Sequence, residues 1–246
     1  MLVYLPPGYA ESGRRYPVLY MLSGFDGDEH EWVNWGLCDA VEYLTRIGQI
    51  QPMIVAMPGG DHSWWFNHAP PPEGDGRRWG DYVWKDVVQQ IDSKFRTLPT
   101  PSSRAIGGLS AGGQSALMLA MTHPEVFGIV GAHSPSFRGA DGSVPNFGTW
   151  DYFNQYDPIW LAEHSDGVER LSIWVDIGGD DTQWRDCNPP PSPQRCAVVF
   201  NQILSARDIP HQWHADWPGI HDDYYWGAHL IDYLAWYSSV LAGGPR

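Results

Sequence analysis

Runs of apolar residues alternate along this chain with segments of helical periodicity. Five short runs are almost entirely apolar or small, as strands buried on both faces of a parallel sheet are. They are residues 18–22, 53–57, 105–107, 129–132 and 173–177, with further strands expected at 2–5 and 210–215. Apolar residues recur at helical spacing in 81–95, 114–122 and 224–241. This alternation predicts an α/β fold with a doubly wound, mostly parallel sheet flanked by helices.

Two segments break this rhythm, 58–79 and 134–158, and both are rich in Gly, Pro and aromatic residues. Each follows the C-terminal end of a predicted strand, where ligands of open α/β sheets bind. We expect these segments to form the walls of a site, with ordinary surface loops as the alternative.

Length and composition narrow the class of protein. A chain of 246 residues fits one α/β domain, so we expect residues 1–246 to form a single domain. No apolar run is long enough to span a membrane, and the net charge of −14 disfavours nucleic acid and anionic membranes as partners. The 14 Trp suggest platforms for sugars or aromatic acyl groups. The oligomeric state stays open.

The cysteines and the N-terminus bear on the compartment. Cys187 and Cys196 bracket a Pro-rich loop, where a disulfide and two free thiols are equally open alternatives, and a disulfide would indicate an oxidising compartment. Cys38 is expected to be a small buried residue on a helix. No secretory signal is visible before the first strand, so we expect a mature form, a trimmed form or a fragment, and a cytoplasmic and a secreted location both stay open.

The strongest chemical signal is the G-x-S-x-G pattern of residues 108–112. It stands between a predicted strand and a predicted helix, where a sharp turn exposes the serine hydroxyl and the glycines give the turn room. The helix N-terminus would place free N–H groups beside a reacting carbonyl. We therefore predict that Ser110 is a nucleophile.

A nucleophilic serine needs a base, and the base needs an acid to orient it. In α/β folds that carry the nucleophilic serine in such a turn, the acid follows a strand downstream of the serine. Residues 173–181 supply a strand that runs into a glycine turn with carboxylates. We choose Asp181, with Asp180 and Asp176 as alternatives. Any of the three could instead be a turn residue that bonds its own backbone.

Four histidines follow Asp181 in the sequence: His211, His214, His221 and His229. The first two fall in the predicted last strand, and His229 falls inside the predicted last helix. His221 lies in the loop between them, from which a base can reach the serine. We choose His221.

The oxyanion hole is expected to use two backbone N–H groups, those of Ala111 and of a residue in the loop 22–27 after an early strand. Phe25 is the chosen donor in that loop, and Gly24 is the alternative. The acidic stretch 26–31 lacks the spacing of a calcium loop, so we interpret it as solvated.

Together these pieces resemble the esterase D family of α/β-hydrolases, which includes feruloyl esterases, S-formylglutathione hydrolases and mycobacterial mycolyltransferases. The resemblance rests on residues 3–9, 16–20, 108–113, 176–181 and 218–221. It implies an α/β-hydrolase fold, a triad of Ser110, Asp181 and His221, and an oxyanion hole of Phe25 and Ala111. Members usually have further strands before the strand at 3–5, so we expect a sheet that is short at that edge or a truncated chain.

These observations predict a serine carboxylesterase that needs no cofactor and forms an acyl-enzyme on Ser110. The substrate is expected to be a small-molecule or carbohydrate ester, with feruloyl and sugar esters favoured by the aromatic residues. Gly24, Trp64, Trp65 and Trp226 are the expected substrate-binding residues. The alternatives are an S-formylglutathione-type thioesterase, an acyltransferase and, from another class, a non-catalytic carbohydrate-binding module.

A metal hydrolase is a further alternative, suggested by Asp61, His62 and His68. The chain has no H-E-x-x-H pattern, and these residues fall in a loop-like segment. We therefore predict no metal site.

Overall fold

A computed structural model describes residues 1–144, 146–186 and 195–242. Seven strands form one sheet in the order β1-β3-β2-β4-β5-β6-β7. All neighbouring strands are parallel except β1, which is antiparallel to β3. The strands are β1 (Leu2–Tyr4), β2 (Val18–Leu22), β3 (Ile54–Met57), β4 (Arg104–Leu109), β5 (Ile129–His133), β6 (Ser172–Asp176) and β7 (His211–His214). The doubly wound, mostly parallel sheet predicted from the sequence is confirmed.

Helices follow most of the strands. The α-helices are α1 (Tyr9–Ser12), α2 (Glu31–Asn34), α3 (Leu37–Arg46), α4 (Trp79–Asp81), α5 (Val88–Lys94), α6 (Ala111–Thr122), α7 (Trp150–Phe153), α8 (Pro158–His164), α9 (Thr182–Arg185), α10 (Ala197–Ala206), α11 (Asp223–Ala228) and α12 (Leu230–Val240). A π-helical turn, Tyr82–Val87, joins α4 to α5, and short 3-10 helices lie at Pro101–Ser103, Asn154–Tyr156 and Val168–Arg170.

The sheet is buried on both faces, which explains its uninterrupted apolar runs. Successive side chains of a strand point to opposite faces. In β2, Val18 and Tyr20 belong to a core shared with helices α5, α6, α8 and α10. Leu19 and Met21 belong to a second core, shared with α3 and α12. The fold therefore has three layers, with the sheet in the middle.

Because β2 and β4 to β7 run parallel, their carboxyl ends share one edge of the sheet. The loops that leave this edge after β2, β5, β6 and β7, and the turn from β4 into α6, meet there. Both Gly- and aromatic-rich segments singled out in the sequence begin at carboxyl ends of strands, after β3 and β5.

The C-terminal region differs from the sequence prediction. The single helix expected at 224–241 is divided into α11 and α12, with His229 between them. The His229 ring stacks on Trp217 at 4.1 Å between ring centroids. Gly227, a poor helix former, lies just before the break. Side-chain packing from outside the helix therefore interrupts a segment whose periodicity is continuous.

The expectations for the cysteines and for membrane-spanning helices can be compared with the structure only for the described residues. Cys38 is half-buried beside the second core. Cys187 lies outside the described residues, so the loop disulfide stays a prediction. No helix within the described ranges has both the length and the apolar character that crossing a bilayer requires.

Candidate active site

Ser110 occupies the turn between β4 and α6, with φ 53° and ψ −118°. This positive φ is rare for a residue with a side chain and is the strained turn that the G-x-S-x-G pattern predicts. Glycines make the close packing of the turn possible. A Cβ on Gly108 would lie 2.6 Å from the carbonyl carbon of Gly112, and one on Gly112 would lie 2.4 Å from the carbonyl oxygen of Ser23.

The structure brings Ser110, His221 and Asp181 into one hydrogen-bonded chain. Ser110 Oγ lies 2.9 Å from His221 Nε2, and His221 Nδ1 lies 2.8 Å from Asp181 Oδ2. A carboxylate can only accept, so His221 Nδ1 donates to Asp181 and Nε2 is left to accept the serine proton. The geometry is that of a nucleophile, a general base and an orienting acid.

Asp181 is held by the beginning of α9. Its Oδ1 accepts a hydrogen bond from the backbone N–H of Trp184 at 3.3 Å, which caps the helix. The side chain is only 2% exposed. With one oxygen on the cap and the other on His221, the carboxylate has a fixed orientation.

The loops that carry the acid and the base are packed directly on each other. Gly179 N–H donates to the carbonyl of Trp217 at 2.7 Å, and Asp180 N–H donates to the carbonyl of Gly219 at 2.9 Å. A Cβ on Gly178 would lie 2.3 Å from the same Gly219 oxygen. Backbone contact between the loops therefore sets the distance between the acid and the base.

The alternative acids lie elsewhere. Asp180 is exposed, and its carboxylate makes no hydrogen bond within the described residues. Asp176 is fully buried at the end of β6, where its Oδ1 lies 2.6 Å from His133 Nδ1. Sequence reasoning missed this second Asp–His pair, because His133 lies on a different strand and no local motif links the two residues.

The alternative bases make other contacts. His211 bonds to Asn201 Oδ1 and to the carbonyl of Ile209, each at 2.8 Å. The His214 ring packs on Trp217 with centroids 4.6 Å apart. His229 lies 3.3 Å from Asp232. None of these three histidines contacts Ser110 in the described part of the chain.

Two unengaged backbone N–H groups lie at the turns beside Ser110. Those of Ala111, the first residue of α6, and of Phe25 have no hydrogen-bond partner among the described residues. Gly24 is different, because its N–H donates to Glu31 Oε2 at 2.7 Å. This bond leaves Gly24 unable to act as the alternative donor, while Phe25 stays available.

The loop that presents Phe25 is anchored at successive peptide groups. Trp32 Nε1 donates to the carbonyl of Leu22 at 2.9 Å, and Trp65 Nε1 donates to the carbonyl of Ser23 at 3.0 Å. The Glu31 carboxylate then accepts the next N–H, that of Gly24. Burial raises the pKa of Glu31. The interpretation of 26–31 as solvated is therefore wrong for Glu31.

Trp65 was expected to contact the substrate, and this expectation is wrong. Its side chain is 2% exposed and its indole N–H is bonded to Ser23. A run of two tryptophans does not reveal which ring is buried. Trp65 instead supports the loop that carries Phe25.

Trp64, the neighbour of Trp65, belongs to a partly exposed aromatic group. Phe25 lies 5.3 Å from Trp64 and 5.2 Å from His62, and Trp64 lies 5.5 Å from Phe147, between ring centroids. Trp64 and His62 also have positive φ angles, 55° and 56°. Such strain in residues with side chains is concentrated at functional sites.

Trp226, also an expected substrate-binding residue, packs against the base. Its ring meets the His221 ring edge-on with centroids 5.0 Å apart and stacks on Trp35 at 5.4 Å. Trp226 is only 6% exposed. Its contacts are those of a residue that backs the imidazole.

The residues considered for a metal site contact other groups, Asp61 an arginine and His62 a different aspartate. Both ring nitrogens of His68 are engaged, Nδ1 with Asp75 at 2.6 Å and Nε2 with the carbonyl of Ser63 at 2.8 Å. No group of three His, Cys, Asp or Glu side chains suited to hold a metal ion occurs among the residues that the structure describes.

The three residues lie after β4, β6 and β7, in the chain order serine, aspartate, histidine. That order and the turn at Ser110 distinguish the α/β-hydrolases from unrelated folds that carry the same three residues. The protein has the α/β-hydrolase fold.

Comparison with known proteins gives the family. The chain belongs to the esterase family whose model, described as "Putative esterase", matches residues 1–237. An esterase of Mycobacterium tuberculosis is 31% identical over 245 residues, which are 89% of this chain and 51% of that protein. An S-formylglutathione hydrolase of Rattus norvegicus is 29% identical over 203 residues, 73% of this chain and 68% of that protein. The family resemblance inferred from the sequence is confirmed.

The structural comparison supports the fold. A solved ferulic acid esterase superposes with a TM-score of 0.79 at 23% identity, covering 97% of this chain and 91% of that chain. The chain spans about half the length, 51%, of the mycobacterial esterase that it matches.

Proposed function

We propose that this protein hydrolyses carboxylic esters through an acyl-enzyme on Ser110. The single observation that carries the proposal is the hydrogen-bonded chain from Ser110 through His221 to Asp181. Membership of the esterase family supports it independently.

In the acylation step, Ser110 Oγ attacks the ester carbonyl carbon while His221 Nε2 takes the hydroxyl proton. Asp181 keeps Nδ1 protonated and stabilises the imidazolium that forms. The tetrahedral oxyanion lies between the N–H groups of Ala111 and Phe25, which are free to donate to it. As the intermediate collapses, His221 returns the proton to the departing alcohol oxygen.

Deacylation repeats these steps with water. His221 takes a proton from water as the water oxygen attacks the acyl carbon, and the same two N–H groups stabilise the second oxyanion. Collapse breaks the bond to Ser110 Oγ, which recovers its proton from His221. The carboxylic acid leaves and no cofactor is consumed.

The substrate is proposed to be a small ester with an aromatic or sugar portion. Phe25 is 39% exposed and, with Trp64 and His62, offers aromatic surface next to the proposed oxyanion donor. Aromatic rings bind flat apolar surfaces through stacked and edge-on contacts. The family relatives include an S-formylglutathione hydrolase, so thioester hydrolysis is the second candidate.

The test is hydrolysis of p-nitrophenyl esters, methyl ferulate and S-formylglutathione by the wild type and by Ser110→Ala. The wild type is expected to be active on at least one ester and the variant to lose activity by several orders of magnitude. The preferred substrate decides between the ester and the thioester. A fluorophosphonate probe should label the wild type only, and a non-catalytic carbohydrate-binding module would remain unlabelled.

A further inference from the structure

Arg138 lies in the loop after β5, close to the proposed nucleophile. Two residues earlier, Ser136 Oγ is 3.5 Å from Ser110 Oγ, and Ser136 N–H donates to the carbonyl of Ser110 at 3.1 Å. The backbone of Arg138 is fixed by Gln114 of α6 in a reciprocal pair of 2.9 Å hydrogen bonds. The residue is therefore held in place by the helix that begins at the serine.

The Arg138 side chain extends to the acid and base side of the site. Its guanidinium carbon lies 4.9 Å from the centre of the Trp184 ring. The backbone N–H of Trp184 donates to Asp181 Oδ1, and the Trp184 ring centroid is 6.2 Å from that of His221. The guanidinium therefore packs on an indole whose backbone N–H bonds to the proposed acid and whose ring lies near the proposed base.

The Arg138 guanidinium has no charged or hydrogen-bonded partner among the described residues. Of the other described arginines, only Arg14, which is exposed, shares this property. The rest contact a carboxylate or a backbone carbonyl. Arg138 is partly buried, yet its nitrogens are not among the fully buried unpartnered atoms. Its N–H groups are therefore accessible from solvent.

Arg195 also stacks on a tryptophan, so its contacts can be compared directly with those of Arg138. Arg195 stacks on Trp150 at 4.8 Å, and it also forms an ion pair with the buried carboxylate of Asp157. Stacking occupies the face of a guanidinium and leaves the N–H donors at its edge free for a carboxylate. Arg138 makes the same stack on Trp184, but no carboxylate of the described residues contacts it.

We propose that Arg138 binds a carboxylate of the ester substrate, so that the enzyme prefers esters that carry a negative charge. This inference rests on the proposed function, because it names the substrate class of the same site. In a chain with a net charge of −14, a local cation beside the triad is the group that offsets repulsion of an anionic substrate. The carboxylate can belong to the alcohol portion or to the acyl portion of the ester.

The experiment compares matched charged and neutral esters on each side of the scissile bond. For the alcohol portion the pair is 4-acetoxybenzoate and its methyl ester. For the acyl portion the pair is mono-p-nitrophenyl glutarate and p-nitrophenyl pentanoate. In each pair the ratio of kcat/KM for the charged and neutral esters is measured for wild type, Arg138→Gln, Arg138→Lys and Arg14→Gln. Dividing a variant's ratio by the wild-type ratio cancels the intrinsic reactivity of the two esters.

Arg138→Gln is expected to lower the charged-to-neutral ratio by about ten- to a hundredfold in at least one pair, since a hydrogen-bonded charge contributes that much. Its neutral-ester activity should be retained. Arg138→Lys should keep part of the preference, and Arg14→Gln, which removes the same charge at an exposed and equally unpartnered site, should keep all of it.

The pair that responds identifies the portion of the substrate that carries the carboxylate. Unchanged ratios in both pairs, with neutral esters still hydrolysed, would overturn the role of Arg138 and leave the proposed function intact. Failure of the wild type to hydrolyse any of the four esters, or undiminished hydrolysis by Ser110→Ala, would instead contradict the proposed function on which this inference rests.

Discussion

Among the described residues, two of the aspartate–histidine pairs have a buried carboxylate, and these two pairs differ in what surrounds them. His133 and Asp176, at the ends of β5 and β6, are both 0% exposed and lie 2.6 Å apart. His221 and Asp181 lie 2.8 Å apart, and the His221 side chain is 26% exposed. The chemical groups and the Nδ1–carboxylate contact are the same in both pairs.

The difference lies in the second nitrogen of each histidine. His221 Nε2 faces the Ser110 hydroxyl at 2.9 Å, whereas His133 Nε2 faces the phenol of Tyr237 at 3.1 Å. Burial raises the pKa of Tyr237 far above its ordinary value, so this phenol remains a neutral hydrogen-bonding group. An Asp–His pair therefore acquires a catalytic role only where a reactive group and a substrate can reach it.

The buried pair instead joins the sheet to the C-terminal helices. Asp176 accepts hydrogen bonds from the phenols of Tyr225 at 3.0 Å and Tyr233 at 2.9 Å, and from Trp174 Nε1 at 2.7 Å. Tyr225 lies four residues after His221 in the sequence. The buried network thus holds the segment that carries the proposed base, and the two pairs are expected to fail in different ways when mutated.

The largest expected effect is on activity, in Asp181→Asn. The amide would no longer fix the tautomer of His221, and the corresponding change in a serine protease lowers kcat by about 10⁴-fold. Urea unfolding should show a change in stability of no more than about 1 kcal/mol, because an asparagine still caps α9. A variant with most of its activity left would show that Asp181 is not the orienting acid.

Asp176→Asn should produce the opposite result. The buried carboxylate accepts hydrogen bonds from two phenols, and each hydrogen bond to a charged group contributes about 1.5 to 3 kcal/mol, so the free energy of unfolding should fall by about 3 to 6 kcal/mol. The fraction that remains folded should keep its esterase kcat, when active sites are counted by titration with a fluorophosphonate. If kcat per titrated site fell as far as in Asp181→Asn, the distinction between the two pairs would be lost.

The fold and the serine–histidine–aspartate chain were predictable from local signals. Uninterrupted apolar runs gave the strands, and the pattern around Ser110 required a particular turn at a particular edge of the sheet. Residues that follow successive parallel strands must converge at that edge. Asp181 and His221 could therefore be chosen from their positions after β6 and β7.

The other features depend on contacts between distant segments. Trp65 follows Trp64 directly, but only tertiary packing buries one ring and exposes the other. Glu31 belongs to an acidic stretch that resembles a solvated surface, yet its carboxylate turns inward to Gly24. Arg138 has no neighbouring motif at all. Single-sequence patterns carry no information about such pairings.

A moderate effect is expected at Glu31, a positioning residue for the loop that presents Phe25. Glu31→Ala removes the acceptor from Gly24 N–H, so kcat should fall about tenfold with little change in KM, because the oxyanion and not the bound ester loses its donor. Glu31→Gln keeps an acceptor and should restore most of kcat. Asp39→Asn, at an exposed site on α3, controls for the loss of charge.

The positioning role of Glu31 would be contradicted if its substitution loosened the structure as a whole. In that case the Ala and Gln variants would lower kcat and the free energy of unfolding in parallel, and KM would rise as well.

The smallest effect concerns pH and distinguishes the buried network from the surface. Burial and the nearby Asp176 raise the pKa of Tyr233. Above pH 10, where an exposed tyrosine ionises, the unfolded chain loses this proton and the folded protein keeps it. The contribution of Tyr233 is therefore complete below pH 10, and stability falls by about 1.4 kcal/mol per pH unit above it.

Tyr233→Phe removes this titration. Between pH 10 and 11 the free energy of unfolding of this variant should therefore fall less steeply than that of the wild type, and the two slopes should differ by about 1.4 kcal/mol per pH unit. Tyr224→Phe is the matched control, because Tyr224 is 84% exposed and should ionise equally in both states. Equal slopes for the two variants would mean that the Tyr233 phenol ionises within the folded protein. The buried Asp–His pair would then be open to solvent, and its difference from the surface pair would be one of degree.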